Sequence, residues 1–546
     1  MTDIFAFDEI NYAPKGGEDA SGATEATSAA TMAPRRVVQI ITGNLHEAVD
    51  ETERALLDSG CEIYQRNGLL VRPAMMPVKV SDGRAIEAQV LVQVKNHNLA
   101  EEMTRCAEFQ RYNSQKAMWV TVDIDRRIPE MYLQREGQWH LRVVTGLINA
   151  PTIKPDGSIL SVPGYDPDTG LIFDPLGVTF PPIPLTPTRD DALAALKTLS
   201  SLVETFPFVG PADRSIALSA ILTAVARAAI LTAPMHGFTA TTAGSGKSKL
   251  TDMASLIATG REAAVMAQGK NEEETEKRLG AALLAGDPII SIDNCEQPLG
   301  GVLLCQMLSQ PLAKVRVLGQ SKNVDVPNSA TVFATGNNLV LLGDMARRAL
   351  LCRLDAGVEC PELRQFDHDP ITLVKAHRAE FVVAGLTLLR AFHVAGRPRQ
   401  TVPLGSFEDW SMLIRDALIW LGEADPCLTM NEVRNADPKL GDLRRVMEQW
   451  SLVFGTRPTT AADAIASAND REQVGIGKYE YKNPALREAL YDVAGLNGEI
   501  KSRKLGSWIG GVIGRIVDGK KFTRGTMLHG NQTWRLDDAA ALEFAA

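Results

Sequence analysis

Paired cysteines are what this sequence most plainly lacks. Its seven cysteines (Cys61, Cys106, Cys295, Cys305, Cys352, Cys360 and Cys427) are scattered, and no two stand as C-x-x-C. That excludes a zinc ribbon and leaves no disulfide framework to read, so a reducing cytoplasm is the expected setting. The histidines show no metal-ligand spacing, and His236 and His377 are assigned no chemistry. No long apolar run is free of charge either. The most membrane-like stretch, Ser215 to Ala233, is interrupted by Arg227 and reads as a buried helix. The opening MTDIFAFDEI is acidic and has no apolar h-region, so no secretory signal is expected. An excess of positive charge is also missing. With 57 basic and 66 acidic residues the net charge is -9. This argues against a protein that coats nucleic acid with its whole surface, but it permits a local basic channel.

What is present is ordinary globular composition, 45% hydrophobic and 23% charged, over 546 residues. That length needs about two to four domains. Residues 1–34 are small and polar and read as a disordered tail. From Arg35 the pattern is that of an α+β domain. VVQIITG reads as a strand, LHEAVDETERALLDSG as an amphipathic helix, and LLVRPAMMPVKV and AQVLVQVKN alternate as strands do. A connector rich in Pro, Gly and Asp closes this region near residue 187. A helical pair and then strand–loop–helix alternation fill 188–365, long amphipathic segments dominate 366–475, and 476–546 ends in short helices and a hairpin-like run. The expected fold class is α/β.

Chemistry concentrates in HGFTATTAGSGKSKL, His236 to Leu250. It matches G-x-x-x-x-G-K-[ST] at its functional end, with Thr241 in place of the first glycine. The stretch Gly244, Ser245, Gly246, Lys247, Ser248, Lys249 is expected to hold a nucleotide. Small residues let backbone N–H groups wrap the phosphates at a helix N-terminus; Lys247 reaches the β- and γ-phosphates, and Ser248 ligates Mg²⁺. DPIISIDNCE then places Asp293 at the end of a buried strand, where a carboxylate holds the Mg²⁺ of ATP. Asn294 follows it where many such ATPases carry an acid, and Glu296 is the nearest carboxylate able to activate water. A third strand, SATVFATGNN, ends in Asn337 and Asn338, which in isolation read as an N-N turn and, beside the metal strand, as groups able to orient that water or touch the γ-phosphate. Arg347 and Arg348 read equally well as an arginine finger or as a solvated helix face.

This order of elements resembles the AAA+ domain of superfamily 3 helicases, most closely the helicase halves of phage and prophage primase-helicases. The stretches PTIKPDGSILSVPGYDPDTGLIF, TGNNLVLLGDMARRALLCRLD and PLGSFEDWSMLIRDALIWLGEADP carry the resemblance beyond the motifs. It implies an AAA+ P-loop core with a helical lid, and ATP and Mg²⁺ as ligands. It also implies a ring of six on single-stranded or forked DNA, with a separate primase or polymerase as a possible partner and no membrane. By the same resemblance Lys247 and Ser248 are nucleotide ligands, Asp293 the metal residue, Asn337 the sensor, and Arg347 or Arg348 the finger. Lys314, Arg316 and Lys322 fall where that family builds a hairpin facing the pore; by themselves they form a basic strand-and-turn segment.

Two further patterns complete the reading. Asp123 and Asp125 in VTVDIDRR mimic a two-metal carboxylate pair, but an acidic turn between strand and helix is the stronger interpretation. At the C-terminus, Lys501, Arg503, Lys504, Arg515, Lys520, Lys521 and Arg524 accompany Leu505, Trp508, Ile509, Val512 and Ile513 at helical spacing. A helix followed by a basic two-stranded wing fits a winged-helix-like DNA module, and a packing domain with a solvated basic face fits the same residues. The expected activity is an ATP-driven DNA motor. The alternatives are an ATP-switched initiator or loader and a P-loop regulator or defence ATPase.

Overall fold

The computed structural model describes residues 35–79, 85–316, 323–364, 368–430, 438–475 and 478–538. The expected tail at 1–34 lies outside them, as does Lys322. Two compact units divide the chain. In the first, strand Arg36–Gln39 lies parallel to Ala107–Asn113, which pairs antiparallel with Met118–Thr121. Helix Leu45–Ser59 buries Ala48, Val49, Ala55 and Leu56 on one face and stops at Gly60, whose φ of 67° suits a residue without a side chain. Helices Asn96–Cys106 and Arg127–Leu133 bury Leu99, Met103, Ile128 and Tyr132. Asp125 accepts hydrogen bonds from the Arg127 N–H (3.1 Å) and Nε (3.0 Å) and from Arg111 (3.2 Å). The Arg127 side chain is the main reason the Asp125 carboxyl is pulled down to about 2. Its charge is committed to the turn.

Glu62–Val94 belongs to the second unit, although the sequence reads as one domain from 35 to 187. Its strands Tyr64–Arg66, Leu69–Lys79 and Ala85–Gln93 form a separate meander. The excursion is invisible locally, because alternation marks a strand and not the sheet that receives it. Downstream, the KPDG turn of the connector rests on the helix Pro370–Val394. Gly157, at φ 83°, leaves no room for a Cβ, which would fall 2.4 Å from the His393 ring. The Gly157 carbonyl accepts from Arg390 Nη1 (2.7 Å).

The centre of the second unit is a five-stranded, all-parallel sheet. Its spatial order is Val265–Ala267, Ile289–Asp293, Thr331–Asn337, Met235–Ala240, Ala349–Leu354. Apart from the edge strand Val265–Ala267, which is partly exposed, the strands are buried almost throughout, which is why they do not alternate. The last strand is held by Asp213, fully buried, which accepts the Arg353 N–H at 2.8 Å and pairs with its guanidinium. The membrane-like stretch forms part of helix Pro211–Val225 and the turn after it. Arg227 there is buried, donates to the carbonyls of Ala330, Ile230 and Asn328, and is pushed down to about 10 by burial. Among the described residues no helix is long and apolar enough to cross a membrane. All seven cysteines are free.

The helix Pro370–Val394 opens on Asp369, which accepts the Thr372 N–H (3.1 Å), and buries Phe381, Leu386, Leu388 and Phe392 in the same core as the sheet. A second core gathers helices Pro438–Phe454, Ala461–Asn469, Pro484–Ala494 and Ser502–Val512 around the sheet Thr459–Thr460, Thr533–Asp538, Lys520–Arg524. Trp450 stands edge-on to Phe522 at 5.3 Å and to Phe454 at 5.0 Å. Helices read as part of the 366–475 lid thus belong with the C-terminal core. An amphipathic stripe shows that a face is buried, not what buries it.

The sheet also contains a buried neutral histidine. His236 is fully buried in Met235–Ala240, 3.1 Å from the Ser219 hydroxyl through Nε2, with Nδ1 unpartnered. Burial pushes it from 6.5 down to about 3. The unfolded chain takes up this proton near 6.5 and the folded chain only near 3. Stability therefore falls as pH drops through that window. The loss is about 2 kcal/mol by roughly pH 5. His236→Leu should flatten this limb in urea unfolding at the two pH values; an unchanged pH dependence would show that carboxylates alone set the acid limit.

Candidate nucleotide site

The glycine-rich loop expected to hold phosphate runs from the end of Met235–Ala240 into helix Lys247–Thr259. Gly244 and Gly246 take φ of 74° and 91°, in the left-handed region that favours residues without a Cβ. A Cβ at Gly246 would lie 2.9 Å from the Phe206 ring, and one at Gly244 2.8 Å from a Glu362 oxygen. Ser245 closes the loop by donating to the Thr242 carbonyl at 2.8 Å. Lys247, at the head of the helix, donates to the Thr242 carbonyl (3.0 Å) and to Asn337 Oδ1 (2.8 Å). Partial burial lowers its pKa, and the field of Asp293 opposes that shift.

Sheet order explains why these residues meet. The Thr331–Asn337 strand lies between the phosphate-loop strand and the Asp293 strand, with Asn337 opposite Ala240 in register. Ser248 donates to Asp293 Oδ1 at 3.3 Å. Lys247, Ser248, Asp293 and Asn337, drawn from three separate segments, converge at the C-terminal edge of a parallel sheet, where open α/β sheets bind ligands. Loop backbone, ammonium, hydroxyl and carboxylate together fit a Mg²⁺-nucleotide.

Two contributors escaped the sequence reading. Thr335, two residues before Asn337 and so on its face of the strand, donates to the Asp293 carboxylate and accepts the Asn294 N–H at 3.2 Å. Its only signal was period-2 spacing from Asn337. Asp252, one helical turn past Ser248, accepts the Ala263 N–H at 3.1 Å. Burial is the main reason its carboxyl rises to about 6, and Glu262 and Asp293 add to the shift. Beside the loop a cleft of about 300 Å³ is lined by Phe206, Pro207, Pro361, Glu362 and Arg364 with Gly244–Gly246. No local motif could have joined 206 to 362.

Other expected site residues are placed differently. Lys249 lines the same cleft as Gly244–Gly246 and pairs with Asp369 at 2.7 Å, at the start of the Pro370–Val394 helix. Arg348 is nearly enclosed: it pairs with Asp344 (2.7 Å) and donates to the Cys305 carbonyl (3.0 Å). Arg347 also pairs with Asp344 but stays 47% exposed, so of the two only Arg347 keeps the reach a finger needs. Asn294 adopts φ 52° and donates to Glu296 Oε1 at 3.2 Å, which aims that exposed carboxylate back toward the strand end. Glu296→Gln should cut ATP turnover about 100-fold with nucleotide binding retained. Unchanged turnover would move the role to Asn294.

The basic segments are less uniform than the sequence implied. Lys314 and Arg316 are exposed on strand Leu312–Arg316, but Lys314 stands opposite Asp325 and Arg316 opposite Asn323. At the C-terminus Lys501 pairs with Glu499 (2.6 Å), Lys504 donates to the Gly495 carbonyl (3.0 Å), and Lys520 to the Ser451 hydroxyl (2.8 Å). Lys521 lies opposite Asp537, while Arg503 and Arg524 are exposed.

No protein-family model and no curated protein matches the sequence. Two A form apo structures of the NrS-1 C terminal region are similar to this chain at 11% and 10% identity, with TM-scores of 0.37 and 0.38. Each comparison covers 89% of this chain and 98% of the other. A likeness at that level assigns neither fold nor activity.

Proposed function

We propose that this chain is an ATP-hydrolysing motor of the AAA+ P-loop type that works on single-stranded or forked DNA in a phage or prophage replication system. One observation carries the reading: Lys247, Ser248, Asp293 and Asn337 converge around a loop whose two glycines have left-handed φ. Lys247 would contact the β- and γ-phosphates, and Asn337, released from Lys247, would face the attacking water. Mg²⁺, held by Ser248 and Asp293, would supply positive charge against the phosphate oxygens. Arg347 would serve a neighbouring subunit of a ring, probed by assembly mass with and without nucleotide. The DNA part rests on the family resemblance and on the basic C-terminal segment, where four helices and a two-stranded hairpin suit a winged-helix-like module.

One feature favours a slower, switch-like use of ATP, as in an initiator or loader: Asn294 follows Asp293 where a carboxylate would speed hydrolysis. Purified protein decides between these. A motor shows ATP turnover stimulated by single strands and displaces a strand from a fork. Turnover without displacement identifies a loader, and no ATP turnover under any condition removes the proposal.

A further inference from the structure

The C-terminal hairpin ends in apolar side chains that the fold itself does not use. Past the last paired residues, Arg524 and Trp534, its two chains stay bridged. The Gly525 N–H donates to the Thr533 carbonyl at 2.9 Å, and Leu528 and Asn531 exchange both backbone hydrogen bonds at 2.9 Å. His529 (φ 48°) and Gly530 (φ 80°) form the turn, a two-residue connection of the kind that matches strand twist. Gln532 donates to the Gly525 carbonyl (2.9 Å) and Thr533 to the Thr526 carbonyl (2.6 Å). At its root Phe522, Trp534 and Leu536 are buried, with Phe522 against Trp450. The hairpin is therefore a braced projection anchored in a core.

At the end of this projection Met527 is 62% exposed and Leu528 47%. Turns ordinarily carry polar residues, and two large apolar groups here leave about half of their surface in water. The segment they belong to carries more basic than acidic residues. From Gly495 to Asp538 the sequence holds eight basic residues against four acidic, in a chain whose net charge is -9. Two of those acids, Asp518 and Asp537, are already paired with Arg444 and Arg535. Arg524 is exposed where the hairpin leaves the core, and Arg503 at the start of helix Ser502–Val512. Such a surface complements a polyanion. An apolar tip beside a polyanion finds an apolar partner where bases are unstacked or exposed, and a tip at the end of a braced hairpin fits the open end of a duplex.

We propose that Met527 and Leu528 form a wedge that packs on the terminal base pair where duplex DNA opens into single strands, while the surrounding cations hold the phosphates. This rests on the DNA reading above. The test uses the full chain without nucleotide, a forked duplex carrying 2-aminopurine at the junction pair, and the matching single strand. The wild type should prefer the fork by about tenfold and brighten the 2-aminopurine. Met527→Ser with Leu528→Ser should abolish both effects and change single-strand affinity less than about threefold, because phosphate contacts remain. The conservative exchange Met527→Leu with Leu528→Met should keep both. A serine variant that brightens the fork as the wild type does overturns the wedge, as does a wild type that binds the fork without brightening it. A changed assembly mass with an intact fork signal would assign the tip to a contact between copies, which also overturns it. Failure of the wild type to bind either DNA removes the DNA reading itself, and the wedge with it.

Discussion

Lys247→Ala should lower ATP turnover at least about 1,000-fold and weaken ATP binding about 10- to 100-fold, with the fold intact. The ammonium sits at the head of the phosphate-loop helix, partly withdrawn from water, with Thr242 and Asn337 as its partners. In that setting a charge aimed at a phosphate acts through a lower effective dielectric than in bulk water, so its removal costs more than the loss of a surface lysine. Its two present partners lie at the loop surface and can turn to water. The unfolding midpoint should therefore move by less than about 1 kcal/mol. Malachite-green phosphate release and calorimetric ATP titration, with urea unfolding as the control, measure all three quantities. Wild-type turnover in this variant would remove the nucleotide-site assignment.

Asp293→Ala should abolish Mg²⁺-dependent hydrolysis by a different route. Its carboxylate accepts from Ser248 at 3.3 Å and from Thr335, so it fixes the hydroxyl next to Lys247 and the strand tip that carries Asn337. Without it, the wild-type gain in ATP affinity on adding Mg²⁺ should vanish, while affinity in EDTA stays within about threefold. Lys247→Ala should lose affinity in both conditions, so the two variants separate phosphate contact from metal contact. Thr335→Val should show a milder form of the Asp293 phenotype, since it deletes one hydrogen bond to that carboxylate. An Asp293→Ala protein whose ATP affinity still rises with Mg²⁺ would place the metal elsewhere.

Those residues were legible for a local reason. Gly244 to Ser248 is one continuous segment whose chemistry depends on neighbouring backbone groups, and Asp293 and Asn337 each end an apolar run long enough to announce a buried strand. The decoy at Asp125 was equally readable, because its partner Arg127 stands two residues away. Where partners are distant in sequence, the reading failed. Lys249 gave no sign of its partner Asp369, 120 residues away. Arg348 gave no sign of the Cys305 carbonyl, 43 residues away, that accepts from its guanidinium at 3.0 Å.

The same division holds for the architecture. Element types, the glycine-rich loop and the basic C-terminal segment were legible locally, because hydrophobic period, glycine placement and charge act over a few residues. Long-range packing placed Glu62–Val94 with the second unit, away from its sequence neighbours, and helix Pro438–Phe454 in the C-terminal core. It alone set Thr331–Asn337 between the two strands it bridges and brought Phe206 to the side of Gly246. Those choices depend on which buried face meets which. An apolar stripe carries the free energy of burial without the address of its partner.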